Sequence, residues 1–178
     1  RIDVFIADIY GEGNIPQDNA SAAKLSGYYK TNFEAYHHRI KLALEEFIKQ
    51  GADPSKIAVI GYCFGGTGAL EVVRAGFDVL GAVSIHGGMS KDADRANLPI
   101  KTKDSNSGQT FTNPQSQDYN PLMAKRAWDH LMLFLKEVFN KKSDSFEVAF
   151  FVAEPEQISK HFLEDLERLN SLSHEATA

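Results

Sequence analysis

The apolar positions of this chain form two kinds of pattern that alternate along it. Continuous apolar runs bounded by turn residues predict buried strands, over residues 3–9, 57–60, 79–85 and 146–152. Longer segments with one apolar face predict helices, over residues 21–50, 67–75, 123–139 and 156–172. Strands that alternate with helices favour a doubly wound, mostly parallel α/β sheet, in which ligands bind at the carboxyl ends of the strands.

The alternation is interrupted in one place. The polar segment over residues 101–117 lacks a strand where the pattern predicts one. A polar spacer, residues 141–145, then separates the long helix from the last strand and helix. We therefore divide the chain into an α/β domain over residues 1–140 and a strand–helix tail over residues 141–178. The tail is a candidate for partner contact or dimerisation, which makes a homo-oligomer a candidate assembly.

Composition and charge narrow the classes of partner. The chain has 178 residues, 43% of them hydrophobic and 24% charged, which is typical of one globular domain. A net charge of −5 without a basic run argues against nucleic acid, and no apolar stretch has the length of a membrane span. A single cysteine excludes an internal disulfide, and the reducing cytoplasm is the expected compartment.

One segment places the only cysteine where a catalytic nucleophile would lie. The strand over residues 57–60 leads into Gly61-Tyr-Cys63-Phe-Gly65-Gly66, and a helix is predicted after it. A strand, a Gly-x-nucleophile-x-Gly turn and a helix make up a nucleophile elbow. Because Gly61 and Gly65 lack a Cβ, strand and helix can approach closely while Cys63 takes a strained backbone. The spacing therefore predicts that Cys63 is a nucleophile.

The same cysteine has a plainer interpretation, because a lone cysteine is most often a small buried hydrophobic residue. Its context favours the catalytic interpretation. A cysteine at the start of a helix meets unpaired N–H groups and the positive end of the helix dipole, and both favour the reactive thiolate.

Four segments, in order along the chain, resemble the dienelactone hydrolase family of the α/β-hydrolases. They are Asp8-Ile-Tyr-Gly-Glu-Gly13, Gly61-Tyr-Cys-Phe-Gly-Gly66, Ser84-Ile-His-Gly-Gly88 and Gly108-Gln-Thr-Phe-Thr-Asn-Pro114. The resemblance runs from residue 3 to residue 139. It implies an α/β-hydrolase fold, apparently incomplete here, and a small-molecule ester or lactone as substrate, with no cofactor. No spacing of His, Asp and Glu along the chain suggests a metal site.

The resemblance also implies roles for individual residues. Family members use a Cys-Asp-His triad, in which cysteine attacks the carbonyl, histidine is the base and aspartate orients the histidine. Cys63 matches the nucleophile, and the backbone N–H of Phe64 matches a donor of the oxyanion hole. Arg39 matches a helix arginine that can bind a substrate carboxylate; an arginine solvated on its helix is the alternative.

The other two members of the triad depart from the family pattern. Gln109 stands at the position of the family's histidine, and glutamine cannot accept a proton at neutral pH. The strand that carries the aspartate has no counterpart between Lys103 and Gly108, and Asn113 replaces a second carboxylate-binding arginine. We therefore expect slow hydrolysis with an accumulating acyl-enzyme, unless another residue acts as the base.

The missing strands have two explanations. The family's first strands, with the loop that donates half of the oxyanion hole, would precede Arg1. We expect the chain to be a piece of a longer hydrolase, because the loss of these strands would expose large apolar surfaces. A truncated or degenerate relative is the alternative.

Six histidines are candidates for a substitute base. His86 is the best of them because it follows a strand at the active edge of the sheet, although a structural histidine bonded to its own loop is the expected role. The other five fall on predicted helices or in the tail, the first three at positions expected to be exposed: His37, His38, His130, His161 and His174.

Two functions from different classes remain open. The first is a cysteine hydrolase of small esters or lactones. The second is a non-catalytic binding protein that kept the elbow as a scaffold and lost the proton relay, which Gln109 and the absent aspartate strand favour.

Overall fold

The computed structural model of the protein describes residues 2–88, 111–139 and 146–152. Four strands in these ranges form one parallel sheet: β1 Ile2–Asp8, β2 Ile57–Tyr62, β3 Gly81–Ile85 and β4 Phe146–Val152. Their order across the sheet is β1-β4-β2-β3. The helices are α1 Asn19–Thr31, α2 Phe33–Lys49, α3 Phe64–Arg74 and α4 Pro121–Phe139, with a 3-10 turn at Pro54–Lys56. The predicted α/β class is confirmed.

The strand β2 is buried on both faces and separates two apolar cores. Successive strand side chains point to opposite faces, so Ile57 and Val59 pack with α1, α2 and α3 while Ala58 and Ile60 pack with α4. All four are 2% exposed or less. This explains why the strand is a continuous apolar run without polar alternation.

The segment over residues 21–50 is helical as predicted, but it is divided into two helices at Asn32. The backbone N–H of Asn32 donates to the carbonyl of Tyr28, 2.9 Å away, and closes α1. Its side-chain oxygen accepts from the N–H of Ala35 at 3.2 Å and opens α2. Asn32 is thus the cap of both helices, in a non-helical conformation of φ −121° and ψ 79°.

The strand predicted in the tail is confirmed, and it lies inside the sheet. β4 pairs with β1 on one side and with β2 on the other, both in parallel. Ala149 is the register partner of both Phe5 and Val59. The helix predicted over residues 156–172 lies outside the described residues. None of the helices within the described residues has the length and apolar character needed to cross a membrane.

Candidate active site

Cys63 is the single residue between the end of β2 and the start of α3. Its backbone angles, φ 50° and ψ −116°, are rare for a residue with a side chain. A Cβ added to Gly61 would overlap the carbonyl of Gly65, so only glycine allows strand and helix to meet this closely. The predicted elbow is therefore confirmed, with a helix that begins at Phe64, three residues earlier than the pattern suggested.

The N-terminus of α3 directs its amide groups toward the cysteine. The first bond within the helix runs from the N–H of Thr67 to the carbonyl of Cys63 at 3.2 Å, so the N–H of Phe64 precedes the helical ladder. An N–H in this position can donate to an oxygen that gains negative charge beside Cys63. The geometry is compatible with the oxyanion role predicted for Phe64.

Phe64 packs within a cluster of aromatic side chains. The rings of Tyr36 and Phe64 are stacked, with centroids 4.8 Å apart and an angle of 5° between their planes. The ring centroid of Tyr10 lies 5.2 Å from that of Phe64. The hydroxyl of Tyr36 donates to the carbonyl of Phe64 at 2.9 Å. Burial raises the pKa of Tyr36 well above its ordinary value, so the phenol stays protonated as a donor. The main chain after the cysteine is thus fixed by buried contacts.

His86 lies directly beside Cys63. β3 pairs with β2 in parallel and places Ile85 opposite Tyr62, so the next residue on each strand reaches the same carboxyl edge. The Nδ1 of His86 is 3.2 Å from the Sγ of Cys63 and accepts the backbone N–H of Cys63 at 3.2 Å. Cys63 is partly exposed. The sequence indicates His86 as the best candidate for a substitute base, and the structure places it in contact with Cys63.

Both members of this pair have a backbone conformation that L-residues rarely adopt. His86 has φ 43° and Cys63 has φ 50°, and no other non-glycine residue in the described ranges has a positive φ. Each such residue costs about 1–3 kcal/mol, and residues of this kind cluster at active sites. The strain and the short contact fall on the same two residues.

The ring of His86 is enclosed by residues from two further segments. It meets Phe111 edge-on with centroids 5.3 Å apart, and Tyr62 edge-on at 5.9 Å. Its Nε2 lies 3.0 Å from the hydroxyl oxygen of Thr112. Burial lowers the pKa of His86 below its ordinary value near 6.5, so the imidazole is neutral at pH 7. A neutral imidazole can accept a proton from the thiol.

Arg39 lies near the same edge of the sheet but is engaged with the main chain. Its Nε donates to the carbonyl of Ile9 at 2.7 Å, and one terminal nitrogen donates to the carbonyl of Asp8 at 2.9 Å. A side chain at Gly11 would meet this guanidinium at 2.9 Å. Arg39 therefore fixes the carboxyl end of β1. Its binding of a substrate carboxylate stays a prediction.

The remaining sequence-predicted residues divide into three groups. His38 and His130 are exposed on their helices, as predicted. His37 is not, because its Nε2 lies 2.7 Å from the carboxylate of Glu71, which is fully buried. Gln109 and the segment expected to lack the aspartate lie outside the described residues, as do His161 and His174. Thr112 was not predicted individually, although the segment that contains it was.

A strained cysteine in a strand–turn–helix elbow, on a parallel sheet covered by helices on both faces, defines the α/β-hydrolase class of fold. The Dienelactone hydrolase family profile matches residues 3–105, more than half of the chain, so the protein belongs to this family. Comparison with curated proteins and with solved structures gave no match. Family membership suggests a hydrolase and implies the α/β-hydrolase fold, of which this chain contains a part.

Proposed function

We propose that the protein hydrolyses small esters or lactones, with Cys63 as the nucleophile and His86 as the general base. The observation that supports this most directly is the 3.2 Å approach of His86 Nδ1 to Cys63 Sγ within a nucleophile elbow. The distance suits a hydrogen bond to sulfur, and the base carries no positive charge at pH 7 that would block proton uptake. Membership of a hydrolase family favours this chemistry over other uses of a thiol.

Acylation requires one proton transfer and one displacement. The proton of the thiol moves to Nδ1 of His86 while Sγ forms a bond to the carbonyl carbon of the substrate. The carbonyl oxygen takes the negative charge and accepts the N–H of Phe64, at the positive end of α3. Collapse of the intermediate breaks the bond to the alcohol oxygen, which takes the proton from Nδ1. A thioester on Cys63 and a free alcohol result.

Deacylation repeats the same steps with water. Nδ1 of His86 takes a proton from water as the water oxygen attacks the thioester carbon. The bond between carbon and Sγ then breaks, and the sulfur recovers the proton from Nδ1. Free carboxylic acid and the starting thiol are released, so the cycle needs no cofactor. His86 thus replaces the base that Gln109 cannot supply.

The first experiment measures hydrolysis of p-nitrophenyl acetate and of a small lactone by the full chain. We expect Cys63→Ala to abolish turnover and His86→Gln to lower kcat/KM by about 10²–10⁴-fold, the usual contribution of a general base. His130→Gln is the matched control, because that histidine is exposed on α4 and should leave the rate unchanged. Turnover that survives Cys63→Ala would contradict the proposal.

The time course tests the role of His86 in the second step. Because one base serves both halves of the cycle, we expect the thioester of the parent protein to be hydrolysed quickly, whether or not the activated ester gives an initial burst of p-nitrophenol. In His86→Gln any residual acylation should instead leave a long-lived thioester that mass spectrometry detects. A thioester that lasts as long in the parent as in His86→Gln would mean that His86 does not assist deacylation. Absence of both turnover and acylation would favour the non-catalytic binding protein.

A further inference from the structure

We propose that Thr112 is the positioning residue of the Cys63–His86 pair, accepting the Nε2–H of His86 and thereby holding Nδ1 toward the sulfur. The inference rests on the proposed function and adds to it the third member of the relay. In a Cys-His-Asp arrangement a carboxylate stands at this place. Here the group 3.0 Å from Nε2 is a hydroxyl.

The proton of the neutral imidazole can be located from the neighbours of each nitrogen. Nδ1 lies 3.2 Å from the backbone nitrogen of Cys63, whose N–H also donates to the carbonyl of Ile85 at 3.1 Å. A proton on Nδ1 would point at this N–H, so the contact favours a lone pair on Nδ1. We therefore assign the proton of the ring to Nε2. This nitrogen then needs an acceptor, because the ring is partly buried and an unpaired buried donor is costly. The hydroxyl oxygen of Thr112 is that acceptor.

Thr112 is held in place through Phe111, the residue before it. Phe111 is 4% exposed and packs edge-on against the ring of His86. The carbonyl of Phe111 accepts the N–H of Asn120 at 3.0 Å, and the side chain of Asn120 in turn accepts the N–H of Met123 in α4. The hydroxyl of Thr112 is therefore anchored to the apolar core and to the start of a helix. A group fixed in this way can fix the ring that it touches.

The bond persists through the reaction without a proton moving along it. When Nδ1 accepts the thiol proton, Nε2 keeps its own proton and continues to donate to Thr112. The hydroxyl carries no charge, so it orients the imidazolium but stabilises it less than a carboxylate would. We therefore expect its removal to cost about five- to tenfold in kcat, the scale of one neutral hydrogen bond. Loss of a charged partner would cost far more.

The test compares Thr112→Val, which keeps the shape and removes the hydroxyl, with Thr112→Ser, which keeps the hydroxyl. Steady-state hydrolysis of p-nitrophenyl acetate gives kcat and KM for each protein. ¹⁵N NMR of histidine-labelled protein reports the proton on each nitrogen of His86 and does not require turnover. Among the described residues, Cys63 and Tyr62 are the titratable groups whose side chains face the ring, and both stay unchanged in every variant. Thr31→Val is the control, because both hydrogen bonds of the Thr31 hydroxyl in the described part of the chain lie within its own helix.

We expect Thr112→Val to lower kcat about five- to tenfold with little change in KM and to reduce the Nε2-protonated form of His86. Thr112→Ser should restore both values. A Val variant with unchanged kcat and an unchanged tautomer would overturn the proposal, and so would a Ser variant as impaired as the Val variant, since packing alone would then explain the loss. If the parent hydrolyses no ester, the proposed function fails while the NMR comparison still tests the bond to Thr112.

Discussion

A Cβ added to Gly66 would lie 2.9 Å from the Cα of Gly87, so the main chains of α3 and of the loop after β3 are in direct contact. This contact joins the two segments that carry Cys63 and His86. The distance between the sulfur and the imidazole therefore depends on two residues that have no side chain.

The first prediction tests this contact with Gly66→Ala. Alanine stabilises a helix relative to glycine by about 1 kcal/mol. The added methyl group would however meet the backbone of Gly87, which cannot rotate away, so overpacking costs about 1–3 kcal/mol. We expect a lower free energy of unfolding in urea and reduced ester turnover, because Cys63 and His86 are pushed apart. Gly27→Ala in α1 is the matched control, since its added methyl meets nothing within 4 Å. Equal effects of the two substitutions would contradict the close approach.

The second prediction concerns the pH dependence of activity. His86 must be neutral to accept the thiol proton, and burial lowers its pKa. We expect the acid limb of kcat/KM to lie below pH 6.5, the ordinary value for histidine, so that turnover persists into mildly acidic solution. An acid limb above pH 6.5 would show that another group controls the rate.

The same shift has a consequence for stability. Between the lowered pKa of folded His86 and about 6.5, the unfolded chain binds the proton more readily than the folded chain does. The stability contributed by neutral His86 is therefore complete above pH 6.5 and is lost as the pH falls through its folded pKa. We expect the unfolding free energy of His86→Gln to fall less steeply than that of the parent protein as the pH is lowered through this interval. His130→Gln, on the surface of α4, should leave it unchanged.

The third prediction concerns the buried carboxylate of Glu71. It lies 2.8 Å from Arg74 and 2.7 Å from His37, and it joins α2 to α3. Breaking a wholly buried pair costs about 3–5 kcal/mol, and Arg74 and His37 are partly exposed, so we expect about 2 kcal/mol for Glu71→Gln in urea unfolding. Glu45→Gln breaks the exposed pair with Lys41 and should have no measurable effect. Similar effects of the two changes would show that burial of Glu71 is unimportant.

The fourth prediction concerns the place of β4 in the sheet. Ala149 has partners on both sides, so Ala149→Pro removes a donor from the middle of the sheet. We expect the variant to lose cooperative thermal unfolding, and a chain truncated after Phe139 to do the same. If either protein has the same midpoint temperature of thermal unfolding as the parent protein, β4 is not needed for the stability of the sheet.

The elbow and the strands could be predicted because they depend on short-range patterns. The glycines flanking Cys63 predict the sharp turn, and the apolar run of residues 57–60 predicts the buried strand β2, from a few neighbouring residues alone. The break at Asn32 had a local cause as well, an asparagine that caps both helices, but the continuous apolar pattern of the segment obscured it.

The sequence indicates His86 as the best candidate base, but its contact with Cys63 could not be predicted from short-range patterns. The distance between Cys63 and His86 depends on the register of β2 against β3 and on the conformation of two strained residues. The contact of His37 with Glu71 depends on which face of α2 meets α3. Thr112 lies 26 positions from His86, and only its membership of a family-like segment drew attention to it.

The position of β4 also limits how this protein can acquire its structure during synthesis. The strand comes from residues 146–152, and it separates β1 from β2, which lie some fifty residues apart near the beginning of the chain. The strands β1 and β2 are therefore synthesised before the strand that joins them. Closing such long loops slows folding, and the uncovered edges of β1 and β2 can meanwhile pair with other chains.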